Sequence, residues 1–185
     1  MRGVAAGVCH CHSRKVFHRD LKPQNILASP DGQRVKIVDF GLARRFQIPL
    51  RKYTNQIQSL IYKPPEVIMG ETMYGPEVDV WSLGCILFEL FTLRPLFFQK
   101  TQIGVLFSIF NLLGAPGGKW EGVELVPDYS FKFPKFAGKD VDAYLAQSGV
   151  YSREARELIR ALLRLDPLQR ISAKEVLQHP FLVED

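Results

Sequence analysis

The stretch that decides the fold is residues 18–25, which read His18-Arg19-Asp20-Leu21-Lys22-Pro23-Gln24-Asn25. A second short stretch, Asp39-Phe40-Gly41, begins fourteen residues after Asn25 and ends an apolar run that is typical of a strand. A third stretch, Pro64-Pro65-Glu66, follows further along the chain. Because the three stretches combine carboxylate, amide and ammonium groups in a fixed order, a generic loop with scattered charges is the weaker interpretation.

The residues around these stretches predict a small β-hairpin followed by a long loop. Residues 26–28 and 36–40 are typical of two strands, and Ser29-Pro30-Asp31-Gly32 between them has Pro and Gly where a turn favours them. Residues 2–13 indicate a short helix end. Residues 41–66 have no convincing hydrophobic period, so we expect a long ordered loop, and loops of that length are usually functional.

The second half of the chain predicts mostly helices. Residues 78–93 are apolar on nearly every side, which indicates a buried helix. A second helix is predicted by one apolar face, made of Ile103, Leu106, Phe107, Phe110 and Leu113. Residues 154–165 are amphipathic with Ser152 as the N-cap, and residues 172–175 form a capping box. Residues 114–150, rich in Gly, Pro and aromatics, are expected to be irregular.

The composition indicates one globular domain. The chain has 185 residues, of which 46% are hydrophobic and 23% charged, so it supports a sizeable core and excludes wholesale disorder. No apolar run approaches the roughly 18 residues that span a bilayer, and we expect no membrane partner. Three cysteines favour a reducing compartment over a disulfide scaffold.

Positive charge is concentrated at the start of the chain. Residues 1–63 contain twelve Lys/Arg and three Asp/Glu, whereas residues 64–185 contain twelve Lys/Arg and sixteen Asp/Glu. A patch with net charge +9 favours a phosphate-bearing partner. Nucleic acid is not expected, because the sequence has no RNA-binding aromatic signature and no zinc-finger spacing. Of Cys9-His10-Cys11-His12, only Cys9 and His12 share a helix face, so we expect packing roles there rather than a zinc site.

These stretches match the signature of protein kinases. Residues 18–25 fit the H-R-D-L-x-x-x-N catalytic loop, residues 39–41 are D-F-G, and residues 64–66 stand where A-P-E is expected. Further segments resemble the cyclin-dependent kinase family, namely residues 39–44, 48–54, 79–86, 112–116, 127–129 and 171–181. The chain as a whole resembles the larger, C-terminal lobe of such a kinase.

The resemblance implies a protein-kinase-like α+β fold. Residues 1–185 would be a partial kinase domain, the mainly α-helical C-terminal lobe with a small β-hairpin by the catalytic loop. Its parts would be the catalytic loop 18–25, the activation segment 39–66 and the helical subdomain 76–183. The sequence contains neither G-x-G-x-x-G nor a V-A-I-K strand, so we expect the N-terminal lobe to be absent from this chain.

The resemblance also implies the chemistry, which is transfer of the γ-phosphoryl group of ATP, with Mg²⁺, to protein Ser/Thr hydroxyls. Asp20 would accept or orient the hydroxyl proton, and Lys22 and Asn25 would be the other catalytic residues. Asn25 and Asp39 would be the Mg²⁺ ligands. The residues implied to contact ATP are Lys22, Gln24, Asn25, Leu27 and Asp39, with Leu27 as the floor of the adenine site.

Further roles follow for residues outside the catalytic loop. By resemblance, Thr54 is a phosphorylation site whose phosphate is clamped by Arg19 and Arg44, although two solvated arginines would be the ordinary interpretation without the motifs. Asp79 falls inside a buried helix, where an unpaired carboxylate would be costly. The resemblance implies that the carboxylate of Asp79 binds the backbone around His18 and Arg19.

The end of the activation segment carries structural and substrate-binding roles by resemblance. Glu66 and Arg170 would form a buried ion pair that fixes this end. Gln58, Ser59 and Lys63 would belong to the substrate-binding segment, with Ser59 bridging the catalytic groups. Since Lys63 stands where the family usually has Arg, it lacks the guanidinium fork, and the preference for proline after the target residue is in question.

Two functions remain open. The first is a cyclin-dependent Ser/Thr kinase with protein substrates, a cyclin partner and small adaptor proteins, found inside the cell in the nucleus or cytoplasm, and truncated and inactive as an isolated chain. The alternative is a non-catalytic kinase-lobe fragment that binds proteins through its helical surfaces and residues 114–150.

Overall fold

The computed structural model describes residues 1–46, 52–54 and 59–183, which form eight α-helices, five short 3-10 helices and four short strands. In chain order the elements are α1 (Arg2–Ser13), β1 (Val16–Phe17), β2 (Ile26–Ala28), β3 (Val35–Ile37), β4 (Arg44–Arg45), α2 (Pro65–Ile68), α3 (Glu77–Thr92), α4 (Gln102–Leu113), α5 (Val141–Gln147), α6 (Arg153–Leu162), α7 (Ala173–Val176) and α8 (Pro180–Val183). Helices dominate, which confirms the predicted fold class of a helical lobe with few strands. Among the described residues, no helix is long and apolar enough to cross a membrane.

Helix α3 is the centre of the hydrophobic core. Residues 78–88 are all buried, as the apolar sequence predicts, and the helix packs most extensively against α6. Gly84 allows this close approach, because a Cβ at this position would lie only 2.8 Å from Leu163 Cδ2. The polar members of the helix need partners inside the core, and Ser82 Oγ lies 3.1 Å from the carbonyl oxygen of Tyr62.

Two antiparallel strand pairs flank the loop at residues 18–25. Strand β1 pairs with β4, with Val16 opposite Arg45, and β2 pairs with β3, with Ile26 opposite Ile37. The loop runs from the end of β1 to the start of β2, so both of its ends are anchored by backbone hydrogen bonds. The predicted hairpin is confirmed, although its second strand ends at Ile37 rather than at residue 40.

The structure corrects the prediction that residues 41–66 form one long loop. Strand β4 lies in this stretch and α2 begins at its end. Strand β4 has only two residues, which is too few to show a period-2 pattern, and α2 is a single turn. Neither element therefore gives a periodic signal in the sequence. Residues 47–51 and 55–58, which include Gln58, lie outside the described part of the chain.

Two helical predictions also need correction. Residues 114–150 are not wholly irregular, because α5 lies within them and is capped by Asp140, whose Oδ1 accepts a hydrogen bond from the backbone N–H of Ala143. In α4, Ile103 is 48% exposed, whereas Val105 and Ile109 are buried. The capping predictions hold, since Ser152 caps α6 and the capping box at residues 172–175 opens α7.

We predict that Gly84→Ala destabilises the protein. Alanine gains about 1 kcal/mol over glycine in helix propensity, but the methyl group would overlap Leu162 and Leu163, and overpacking a core costs about 1–3 kcal/mol. The free energy of unfolding, measured by denaturant titration, should fall by about 1 kcal/mol. Gly117→Ala, which meets no atom within 4 Å, is the matched control and should leave stability nearly unchanged. A stabilised Gly84→Ala variant would contradict this packing.

Candidate active site

Asp79 fixes the backbone of the loop that follows β1. Its Oδ2 accepts a hydrogen bond from the N–H of His18 and its Oδ1 accepts one from the N–H of Arg19, both at 2.8 Å. The carboxylate is completely buried, and its Oδ2 also lies 2.8 Å from His12 Nε2. These contacts are the ones the resemblance implies for Asp79, with His12 as an additional partner. Arg19 has a φ of 69°, so this turn needs such support.

The carboxylate of Asp20 is the centre of a network of four side chains. Lys22 Nζ donates to Asp20 Oδ2 at 2.8 Å and to Ser59 Oγ at 3.1 Å. The N–H of Ser59 donates to Asp20 Oδ1 at 2.9 Å. Asn25 Nδ2 donates to the Asp20 carbonyl oxygen at 2.8 Å and lies 3.3 Å from Oδ2. The structure therefore brings the predicted catalytic residues and Ser59 into direct contact.

His18 connects this network to the strand that ends in D-F-G. Its Nδ1 accepts a hydrogen bond from the N–H of Asp20 at 3.2 Å, and its Nε2 lies 2.9 Å from the carbonyl oxygen of Val38. Both contacts are satisfied when Nδ1 accepts and Nε2 donates. Its ring also contacts Phe40 edge-to-face, with the centroids 4.8 Å apart. The sequence motif contains His18, but no role for it followed from sequence reasoning.

The two residues predicted to bind Mg²⁺ differ in exposure, because Asn25 is buried whereas Asp39 is exposed. Asp39 is exposed, has a φ of 61°, and its carboxylate accepts a long hydrogen bond, 3.4 Å from the N–H of Gly41. The N–H of Val38 donates to the Asn25 carbonyl, which ties the two predicted Mg²⁺ ligands to one place. Because Asn25 uses its amide nitrogen towards Asp20, its side-chain oxygen is left as the ligand atom, and hard oxygen ligands of this kind fit Mg²⁺.

Two further residues predicted at the nucleotide site are accessible to solvent. Gln24 is exposed, and Leu27 is 56% exposed although its neighbour Ile26 is partly buried. An apolar side chain this open at the edge of a hairpin is available to a flat ligand.

Arg19 and Tyr74 connect the catalytic loop to the activation segment. The guanidinium of Arg19 is buried, with Nε donating to the Leu42 carbonyl at 2.7 Å and Nη1 donating to Tyr74 Oη at 3.0 Å. Tyr74 Oη in turn donates to the carbonyl oxygen of Thr54. Burial raises the pKa of Tyr74, and the neighbouring Arg19 opposes that shift. Arg19 thus reaches the backbone of the predicted phosphosite through Tyr74, a residue that no sequence signal identified.

The remaining predicted residues of this region have different surroundings. Arg44 is exposed, and its Nη1 donates to the carbonyl oxygen of Ala43 at 2.8 Å. Lys63 is only 6% exposed, and its burial lowers the pKa of its ammonium group. The side chain of Lys63 therefore belongs to the interior of the lobe.

A buried ion pair fixes the end of the activation segment. Arg170 Nη1 and Nη2 contact Glu66 Oε1 and Oε2, each at 2.6 Å, and both side chains are almost completely buried. The guanidinium also lies 5.0 Å from the centroid of the Trp81 ring. This bidentate pair joins α2 to the segment after α6 and to α3, as the resemblance implies.

A family model described as protein kinase domain matches residues 1–182. The chain belongs to the protein kinase family. It is 47% identical over 178 residues to the cell division control protein 2 homolog 3 of Trypanosoma brucei brucei, an alignment that covers 95% of this chain and 56% of that protein. The chain therefore spans little more than half the length of this curated relative.

A solved structure is also similar to this kinase chain. The crystal structure of the yeast RNA Pol II CTD kinase CTDK-1 complex contains a chain that matches with a TM-score of 0.91 and 33% sequence identity. The match covers 100% of this kinase chain and 61% of that chain. Together with the trypanosome relative, it supports the resemblance to the cyclin-dependent kinase family, and it confirms that the fold is the protein-kinase fold.

We predict that Arg170→Met destabilises this kinase by about 3–5 kcal/mol, because Glu66 would be left charged and buried without a partner. The double variant Arg170→Met/Glu66→Leu should recover part of the loss, which denaturant unfolding measures. Arg153→Met is the matched control. It removes the same groups from an exposed pair with Glu157, and such pairs contribute less than about 1 kcal/mol. Equal losses for the two arginines would contradict the importance of the buried pair.

Proposed function

We propose that this chain carries the catalytic residues of a Ser/Thr protein kinase of the cyclin-dependent type, which transfers the γ-phosphoryl group of ATP to a protein hydroxyl. The observation that supports it most is the Asp20 network, in which Lys22, Asn25 and the N–H of Ser59 orient one carboxylate. Phosphoryl transfer depends on positioning and charge neutralisation more than on covalent help, and this network supplies both.

Each residue of the network has a role in this proposal. Asp20 orients the substrate hydroxyl and accepts its proton, and Lys22, beside it, neutralises charge on the transferred phosphoryl group. Asn25 and Asp39 would hold Mg²⁺, which when bound neutralises the phosphate oxygens. Leu27 offers its exposed surface to the adenine ring. Gln24 is proposed to contact the nucleotide from the rim of the site.

Regulation is proposed to act through the activation segment. A phosphate on Thr54 would add a charge of about −1.5 to −2 and draw the exposed guanidinium of Arg44 towards it. Arg19 already binds this segment through Tyr74 and Leu42, so ordering of the segment would reach the catalytic loop directly. Ser59 and Gln58 are proposed to shape the substrate groove, with Lys63 supporting it from the buried side and with weak discrimination for proline.

The partners and location of the kinase are also proposals. A cyclin partner is proposed because the sequence motifs resemble the cyclin-dependent kinase family, and protein substrates and small adaptor proteins are proposed with it. A location in the nucleus or cytoplasm is consistent with three cysteines that form no disulfide among the described residues.

The 185-residue chain alone is proposed to be inactive. Its sequence offers no glycine-rich loop and no V-A-I-K lysine to cover the phosphates, and correct positioning contributes up to about 7–11 kcal/mol of the barrier reduction in such reactions. The apolar side chains of Leu27, Phe40 and Leu42 are exposed beside the catalytic loop, a surface that suits either a covering lobe or a captured protein. The second candidate, a protein-binding fragment, depends on this surface.

We predict that the purified chain, given labelled ATP, Mg²⁺ and a basic protein substrate, transfers no more label than its Asp39→Ala variant. The same chain fused behind a protein-kinase small lobe that has a glycine-rich loop should transfer label readily, because the phosphates are then covered. Transfer by the chain alone that disappears in Asp39→Ala would show a minimal kinase. A fusion that folds and binds ATP but never transfers label would favour the protein-binding fragment.

We predict that Asp20→Asn in the active fusion lowers turnover by about three orders of magnitude, or about 4 kcal/mol, while ATP binding is retained. An amide cannot accept the hydroxyl proton, although it fits the same space. Asp31→Asn, which makes the same change in an exposed turn, is the matched control and should leave turnover unaffected. Near-normal turnover of Asp20→Asn would remove this carboxylate from the mechanism.

A further inference from the structure

A cavity of about 470 Å³ lies between the end of α4, the start of α5 and the end of α6. Its lining includes four cationic side chains from three separate segments, Lys119, Lys139, Arg160 and Arg164. None of the residues of the Asp20 network lines it, so it is separate from the candidate active site. We call it the basic cavity.

The charge of the basic cavity stands out against its surroundings. Residues 64–185 carry twelve Lys/Arg and sixteen Asp/Glu, and a third of those twelve cations line this one cavity. One carboxylate, that of Asp166, is also in the lining, which leaves a net charge of about +3. Asp166 is 7% exposed, its Oδ1 accepts the N–H of Leu168 at 2.9 Å, and it also borders a neighbouring cavity.

Two carboxylates of α5 and α6 are used in other contacts. Asp142 accepts from Arg156 Nε and Glu157 accepts from Arg153 Nε, each at 2.9 Å. Within the described ranges, none of the four cavity cations has a carboxylate within ion-pair distance. A cation in the last turn of α6 is favourable for the helix dipole, but that accounts for Arg160 alone.

A glycine crossing keeps two of the cations in place. Gly114 and Gly138 have φ values of 89° and 81°, and a Cβ on Gly138 would lie 2.7 Å from the backbone nitrogen of Gly114. Only glycines allow the two segments to approach this closely. Lys139 directly follows the crossing, with its Nζ 5.3 Å from the centroid of the Tyr144 ring, and Lys119 Nζ donates to the Leu113 carbonyl at 2.8 Å. The ammonium of Lys119 is therefore positioned at the cavity before any ligand arrives.

We propose that the basic cavity binds the phosphorylated side chain of a Ser/Thr phosphoprotein, and so retains proteins that already carry a phosphate. The proposal rests on the proposed kinase function, whose substrates and products would be such proteins. A phosphoryl group with a charge of about −1.5 to −2 complements the cavity, and the exposed guanidinium forks of Arg160 and Arg164 suit its oxygens. The cavity has room for the residues beside the phosphate, and no aromatic side chain in its lining offers stacking to a nucleic-acid base.

The test is fluorescence anisotropy of the 185-residue chain with a labelled Gly/Ala peptide that has one central phosphoserine, beside its unphosphorylated twin. The unphosphorylated twin should bind the chain at least tenfold more weakly than the phosphopeptide does. The phosphopeptide should also bind the Arg160→Gln/Arg164→Gln variant at least tenfold more weakly than it binds the parent chain. Lys132→Gln/Lys135→Gln also removes two exposed cations, neither of which lines the cavity, and should bind within about twofold of the parent chain. Lys119→Gln/Lys139→Gln should weaken binding in the same way and serves if the arginine variant does not fold.

Three results would overturn the proposal. Equal binding of the two peptides would show that the phosphate is not recognised, and equal loss in the cavity and control variants would show non-specific charge attraction. Displacement of the peptide by inorganic phosphate at an equal concentration would assign the cavity to the free ion. The Asp20→Asn chain should still bind the phosphopeptide, so a failure of the cavity is distinguished from a failure of the proposed kinase function.

Discussion

One buried carboxylate organises this lobe. Asp79 is completely buried in α3, whose residues 78–88 are all buried, and its two oxygens accept the N–H groups of His18 and Arg19. A buried carboxylate without partners costs several kcal/mol, so the central helix and the loop at residues 18–25 stabilise each other. The apolar core therefore determines where the catalytic loop lies, and the loop in turn completes the core.

The rest of the site extends from that contact. Arg19 adopts a positive φ, which costs of order 1–3 kcal/mol for a residue other than glycine and persists only where the surroundings impose it. This turn places Asp20 among Lys22, Asn25 and Ser59 and leaves the guanidinium of Arg19 under the activation segment. A conformational change in the activation segment can therefore be transmitted through Arg19 to Asp20, which is the next residue in the chain.

The sequence predicted those features that depend on residues close together in the chain. The all-round apolar pattern of α3, the Ser152 cap and the order of the motifs each correspond to a feature of the structure. Contacts between distant segments could not be predicted in this way. His12 meets Asp79 across 67 residues, Gly84 is required only because α6 packs on it, and β4 and α5 are too short to show a period. The burial of Lys63 likewise depends on the core around it rather than on its neighbours in sequence.

The most direct test of the role of Asp79 is amide hydrogen exchange in the Asp79→Asn chain. An amide in place of the carboxylate removes one acceptor oxygen, so at least one of the N–H groups of His18 and Arg19 should exchange at least about tenfold faster. The comparison is made relative to Leu83 in the core of α3, with Glu124→Gln as the exposed acid-to-amide control. If both amides kept their protection relative to Leu83 in a folded Asp79→Asn chain, the carboxylate would not be what holds the catalytic loop.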